Sequence, residues 1–135
     1  MNPPIRDLSE LLRGMQAELS PTVYGYVTLP AGTAMPAGLD PLLVFREAEG
    51  ITLVLPWEAA APFGPVFPCR LITLSVYSAL DAVGFIAAVA ARLTAAGISA
   101  NVVAAYHHDH LLIPAERADE ALTVLKVMAT DAAAR

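Results

Sequence analysis

The chain has a single cysteine, Cys69, in 135 residues. One cysteine excludes an intrachain disulfide framework, and a free thiol suits a reducing, cytoplasmic compartment. Basic residues are also scarce: Lys and Arg total 8 against 13 Asp and Glu, for a formal net charge of −5. The eight are scattered and form no basic stripe, which argues against nucleic acid or an anionic membrane as partner. Charged residues of both signs make up only 16%, whereas 56% are hydrophobic and the mean hydropathy is +0.57. That composition is too apolar for disorder. Alanine supplies much of the excess, so the core is smaller than the percentage suggests. Large apolar faces remain, and they predict a subunit or lobe interface; the apolar content favours a homo-oligomer. Met1-Asn2-Pro3-Pro4 has no basic stretch leading into an apolar one, so no signal peptide is expected. The run from Leu71 to Ala91 approaches the length of a spanning helix, but Asp81 and Gly84 break it. It reads as strand, loop and helix, with no membrane partner.

The length allows one compact domain or two small ones fused. Ile5, Leu8, Leu11, Leu12, Met15 and Leu19 recur at helical spacing, which predicts a helix over 5–19 stopped by Ser20-Pro21. Val23 to Leu29 is β-branched and aromatic and predicts a strand. The Pro- and Gly-rich stretch 30–41 is a loop. Leu42–Arg46 and Ile51–Leu55 flank Glu47-Ala48-Glu49-Gly50 as a hairpin, with Gly50 as the permissive turn position. Pro56-Trp57-Glu58 opens a short helical segment, and Pro62, Gly64, Pro65 and Pro68 mark a linker between halves.

The second half is more regular. It predicts a strand over 70–77, a loop over 78–82, a helix over 83–96 ended by Gly97, a strand over 98–106 returning at 111–113, and a last helix with Pro114 in its first turn. This β-α-β-β-α order is the ferredoxin-like order short of its final strand. Leu55-Pro56-Trp57-Glu58-Ala59-Ala60 aligns with Ile113-Pro114-Ala115-Glu116-Arg117-Ala118 after a strand, turn and strand in each half. The alignment indicates an internal repeat of paired units. The halves divide at 1–64 and 65–135.

All three histidines and an aspartate fall in His107-His108-Asp109-His110. Two His and one Asp can hold a transition metal, but no remote His or second Cys completes the set. The alternative is a polar hairpin turn in which Asp109 caps backbone N–H groups. No motif sets a base beside Cys69 or a serine for nucleophilic catalysis, so no catalytic residue is assigned. Glu58 and Glu116 serve the first turns of helices, where carboxylates favour the dipole. Trp57 either lines a pocket or packs over the junction of the halves.

Asp81-Ala82-Val83-Gly84-Phe85, the apolar helix through Val89 and Leu93, and Ala96-Gly97-Ile98-Ser99-Ala100-Asn101 together resemble the ACT domain. The hairpin Val103 to Pro114 resembles that of small bacterial tandem-ACT proteins. Val83 stands where the family's usual Pro precedes Gly84, Ser99-Ala100 replaces Asn-Ile, and the first half has no helix after its first strand. The resemblance implies an α+β fold of tandem ferredoxin-like ACT domains, the first degenerate, with antiparallel sheets and helices on one face. It implies a non-catalytic regulatory module that binds a small molecule, an amino acid, without a cofactor or metal. The implied ligand site is Ser78, Asp81, Val83, Gly84, Phe85 and Asn101. Gly84 lets a ligand approach the backbone, N–H groups there suit a carboxylate, Asp81 accepts from an α-amino group, and Asn101 offers a donor and an acceptor. Two other readings stand beside it: a metal-binding protein or metal-dependent enzyme centred on His107–His110, and an interaction protein that has lost ligand binding.

Overall fold

A computed structural model describes residues 3–134. Met1 and Asn2, on which the reading of the N-terminus partly rests, and Arg135, the end of the second half, lie outside the described residues. The elements run in the order α1 (Leu8–Gly14), β1 (Ala17–Pro30), β2 (Leu43–Arg46), β3 (Gly50–Pro56), α2 (Trp57–Ala60), β4 (Val66–Leu74), α3 (Phe85–Ala95), β5 (Asn101–Ala104), β6 (Asp109–Pro114) and α4 (Ala118–Ala133). The chain divides into two compact units. The first comprises residues 1–20 and 70–135, the second residues 21–69.

In the first unit β4, α3, β5, β6 and α4 follow the expected β-α-β-β-α order, and the strands lie in the order β4-β6-β5. The final strand that this half lacks has a counterpart in the same unit. The first four residues of β1, Ala17–Ser20, precede the second unit, and the Gln16 carbonyl just before them accepts from the Ser75 N–H at 2.7 Å. Leu11, Ile72, Leu74, Val89, Leu93, Leu111, Ile113 and Leu125, all 1% exposed or less, form the core of this unit between helices and strands. The predicted helix over 5–19 is shorter, Leu8–Gly14. Asp7 starts it by accepting from the Glu10 N–H at 3.0 Å, and Gly14 ends it before extended Met15. Met15, Ala17 and Leu19 fit an alternating strand as well as a helical repeat, which is why helical spacing overran the end. Ser20-Pro21 therefore lies inside β1 and stops nothing.

Helix α3 ends as expected at Gly97, which takes φ +71°. Ile98 N–H bonds to Leu93 C=O at 2.9 Å and Gly97 N–H to Thr94 C=O at 2.9 Å, the Schellman pattern. The Arg117 guanidinium donates to the free carbonyls of Ala96 and Gly97 at 3.2 and 3.3 Å. The helix begins at Phe85 rather than Val83, because Gly84 sits in the left-handed region at φ +92° as its N-cap. Pro114 closes β6 and caps a 3-10 turn over Ala115–Arg117, so it precedes the last helix instead of entering it.

The second unit has the strand order β2-β3-β1, with β3 antiparallel to both neighbours. Val27, Leu29, Ile51, Leu53, Leu55 and Ala60 form its core. The predicted strand over 23–29 is the centre of the longer β1, and the expected linker ends early because Val66, Phe67 and Pro68 already belong to β4. Gly50 has a role other than the one expected. Its backbone is not left-handed; a Cβ there would stand 2.6 Å from the Leu29 carbonyl oxygen. Close approach of β3 to β1 requires the glycine.

The internal repeat extends to individual hydrogen bonds. Glu47 N–H bonds to Gly50 C=O at 2.8 Å in one hairpin, and Ala105 N–H to His108 C=O at 3.0 Å in the other. Arg46 pairs with Ile51 and Leu43 with Val54; Ala104 pairs with Asp109 and Asn101 with Leu112. Each corresponding pair is as far apart in sequence as Pro56 and Pro114. Those prolines adopt the same cap geometry, φ −50° and ψ 138° against φ −48° and ψ 130°.

Candidate functional site

The site is built where the chain leaves β4. Residues 75–84 run without regular structure to the start of α3. This loop is tied to the N-terminal segment. Ile5 N–H bonds to Tyr77 C=O at 2.7 Å, and Ala79 N–H to Ile5 C=O at 2.8 Å. Arg6 adds an exposed ion pair with Asp81 at 3.0 Å.

A cavity of about 180 Å³ opens beside this loop. It is lined by Ser78 to Leu80, by Gly84 and the first turn of α3, and by Asp109. No side chain caps α3 and its first turn carries no acidic residue, so the N–H groups of Phe85, Ile86 and Ala87, three residues that line the cavity, have no intrahelical partner. Asp109 is buried at the start of β6, and its carboxylate accepts from the Ser78 hydroxyl at 3.0 Å. The arrangement offers backbone donors at a helix dipole's positive end and a carboxylate across a small space.

Ser78, Gly84 and Phe85 line this cavity. The Phe85 ring is 2% exposed and belongs to the core, so only its backbone N–H is offered to the cavity. Asp81 lines a neighbouring space of about 240 Å³ with Arg6, Tyr77 and Tyr106. Val83 is 86% exposed, and Asn101 stands exposed at the start of β5 opposite Leu112; neither lines the two cavities.

Asp109 corrects the reading of the histidine stretch. The turn is Ala105–His108 with Tyr106-His107 at its tip, so Asp109 and His110 belong to strand β6. Asp109 caps no turn; it faces inward. The repeat carried the signal: Asp109 aligns with Ile51, a core residue of the first hairpin. The histidines disperse. His107 lies between Tyr77 and Tyr106, with ring centroids 5.9 and 4.9 Å away. His108 Nδ1–H donates to the Val76 carbonyl at 3.4 Å, and His110 Nδ1 shares a hydrogen bond with the Thr73 hydroxyl at 3.0 Å. Burial pulls the His110 pKa down, His108 adds to the effect, and Asp109 opposes it. Among the described residues no three His, Cys, Asp or Glu side chains group to hold a metal.

Cys69 is fully buried, its thiol donates to the Tyr24 carbonyl at 3.6 Å, and burial pushes its pKa up to about 11. That is the reverse of an activated nucleophile. Among the described residues no helix is long and apolar enough to cross a membrane.

Comparison with known proteins identifies the fold. Residues 3–70 and 66–127 each match the ACT domain. A search of curated proteins finds no match. Among solved structures, a protein of unknown function from Vibrio cholerae, described as a possible transport protein, is 42% identical, with a TM-score of 0.81 over 90% of this chain and 95% of that one. A protein from Agrobacterium tumefaciens is 21% identical with a TM-score of 0.73, covering 85% of this chain and 89% of that one. The ligand-free regulatory subunit of aspartate kinase from Thermus thermophilus shares the fold at 11% identity, with a TM-score of 0.62 over 83% of this chain and 95% of that one. Both matches are to a domain that is typically regulatory and ligand-binding, and neither is to a catalytic one. With two ACT matches in tandem and the repeat preserved to its hairpin hydrogen bonds, the chain belongs to the ACT-domain family.

Proposed function

We propose that this protein is a non-catalytic amino-acid sensor whose site is the cavity between Ser78, Asp109 and the first turn of α3. The observation that carries the reading is the pairing of uncapped N–H groups at Phe85–Ala87 with the buried Asp109 carboxylate across about 180 Å³. The carboxylate of an α-amino acid suits the helix end, and its ammonium group suits Asp109. Gly84 keeps the entrance free of a side chain, and Asp81 and Val83 belong to the same loop as secondary contacts, whereas Asn101, three residues before Ala104 on β5, lies outside the cavity. Asp109 joins the set that the sequence predicts.

In this reading residues 1–64 and 65–135 act as two ACT copies, a division supported by the matched ranges 3–70 and 66–127. The protein works in the cytoplasm as a homo-oligomer, and binding shifts a packing equilibrium of its subunits. The reduced, buried Cys69 and exposed apolar side chains such as Leu80 and Val83 support that setting. A thermal-shift screen against the standard amino acids and the common divalent metals tests it. At least one amino acid raises the melting temperature in a saturable way. Stabilisation by stoichiometric zinc or nickel, with none by any amino acid, would replace the sensor with a metal protein.

A further inference from the structure

We propose that the second unit carries a separate small-molecule site: a pocket for an organic cation, formed by the Trp57 indole and the Glu58 carboxylate. The pocket measures about 470 Å³ and is lined by Thr22, Val23, Pro56, Trp57 and Glu58. It is larger than either space beside the Ser78 loop, shares no residue with them, and falls in the range of small-ligand pockets.

The indole is held in place from behind. Gly25 lies buried on β1, and a Cβ there would stand 2.7 Å from Trp57 Cε3 and 2.9 Å from the Pro65 ring. The glycine thus lets the Cε3–Cζ3 edge of the indole come close to the β1 backbone, with Pro65 at its side. Pro56, the N-cap of α2, fixes the direction in which Trp57 leaves β3. A fixed indole presents a ready π-face at little entropic cost.

The pocket's charge has one sign. Glu58 is exposed at the rim, and its carboxylate has no hydrogen-bond or ion-pair partner among the described residues. No Lys or Arg lines the space. An aromatic face, a free carboxylate and the apolar walls of Val23 and Pro56 together select a cation with an apolar body, such as an alkylated or aryl ammonium. The repeat supplies a contrast within the molecule. In the second half the matching pair is Ala115 and Glu116, which keeps the carboxylate and lacks the indole. The aromatic face is thus confined to the first half.

Trp57 is the only tryptophan, so its fluorescence reports on this pocket directly. The test titrates the full chain with benzyltrimethylammonium and, in parallel, with neutral benzyl alcohol, and repeats the ammonium titration by calorimetry. The ammonium ion gives a saturable fluorescence change and a matching heat. Benzyl alcohol binds more weakly, and Glu58→Gln weakens the ammonium ion by about fivefold, as expected for one exposed carboxylate. Glu58 is on the surface, so Glu58→Gln folds normally and its melting temperature verifies this. No saturable change, equal binding of the alcohol, or an unaltered affinity in Glu58→Gln would each overturn the proposal. Free amino acids play no part in the experiment, so its outcome is independent of the site at Ser78 and Asp109.

Discussion

Asp109→Ile is expected to stabilise the fold and abolish ligand binding at once. Asp109 is 8% exposed, and the partner of its carboxylate is the Ser78 hydroxyl at 3.0 Å. Losing a hydrogen bond to a charged group costs about 1.5–3 kcal/mol. Burying an isoleucine side chain in its place contributes about 1.5–3 kcal/mol, so these two terms roughly cancel. The hydrogen-bond figure already contains most of the carboxylate's desolvation, so relief of the remainder adds about 1 kcal/mol and decides the sign. The orphaned Ser78 hydroxyl faces a cavity of about 180 Å³, roomy enough for water to satisfy it. The first hairpin places Ile51 at the matching position, so the fold accepts a β-branched side chain there. The net expectation is a gain of about 1 kcal/mol, or about 3–5 °C in melting temperature for a chain of this size. Urea and thermal unfolding followed by circular dichroism measure it. A loss of about 1 kcal/mol or more would instead make the carboxylate a structural member of the core.

Three other outcomes follow from the same structure. His110 has a pKa below the ordinary 6.5, so the unfolded chain binds more protons below that pH. Stability is therefore full above the ordinary value and falls as the pH drops through it; urea midpoints at about pH 7.5 and about pH 5.5 should differ less in His110→Gln than in the wild type. Cys69, with its thiol pushed up to about 11, resists a thiol-reactive dye in the native protein and reacts at once when the chain is unfolded in urea. Gly50→Ala forces a Cβ to 2.6 Å from the Leu29 carbonyl oxygen and should destabilise by about 2 kcal/mol, whereas Gly32→Ala, strained at φ +79° but in open space, should cost about 1 kcal/mol by denaturant titration.

The fold was legible wherever local chemistry and tertiary position agree. Gly97 ends α3 because only a glycine takes its left-handed backbone cheaply, and the repeat of Leu55-Pro56 in Ile113-Pro114 marks two strands that end alike. The N-terminal helix was overextended because Met15, Ala17 and Leu19 satisfy both helical and strand periods, and only the extended backbone at Met15 separates them. The missing final strand of the second half was not visible, since its counterpart lies at the opposite end of the chain, in Ala17–Ser20. At the site, Ser78, Gly84 and Phe85 were found by resemblance and meet at one cavity. Asp109 was hidden by its polar neighbours, which read as a turn. Carrying the repeat alignment four residues upstream of Ile113 would have placed it opposite Ile51 and shown it facing inward.

Backbone amide NMR reads the atoms that meet the ligand. The measurement is a ¹⁵N–¹H titration of the full chain with the amino acid that raises its melting temperature most, or with the pooled amino acids if none stands out. Saturable shifts are expected at Ser78, Gly84, Phe85, Ile86 and Ala87, lost in Asp109→Ile. Shifts confined to other residues, unchanged shifts in Asp109→Ile, or no saturable shift at any amide would contradict that expectation.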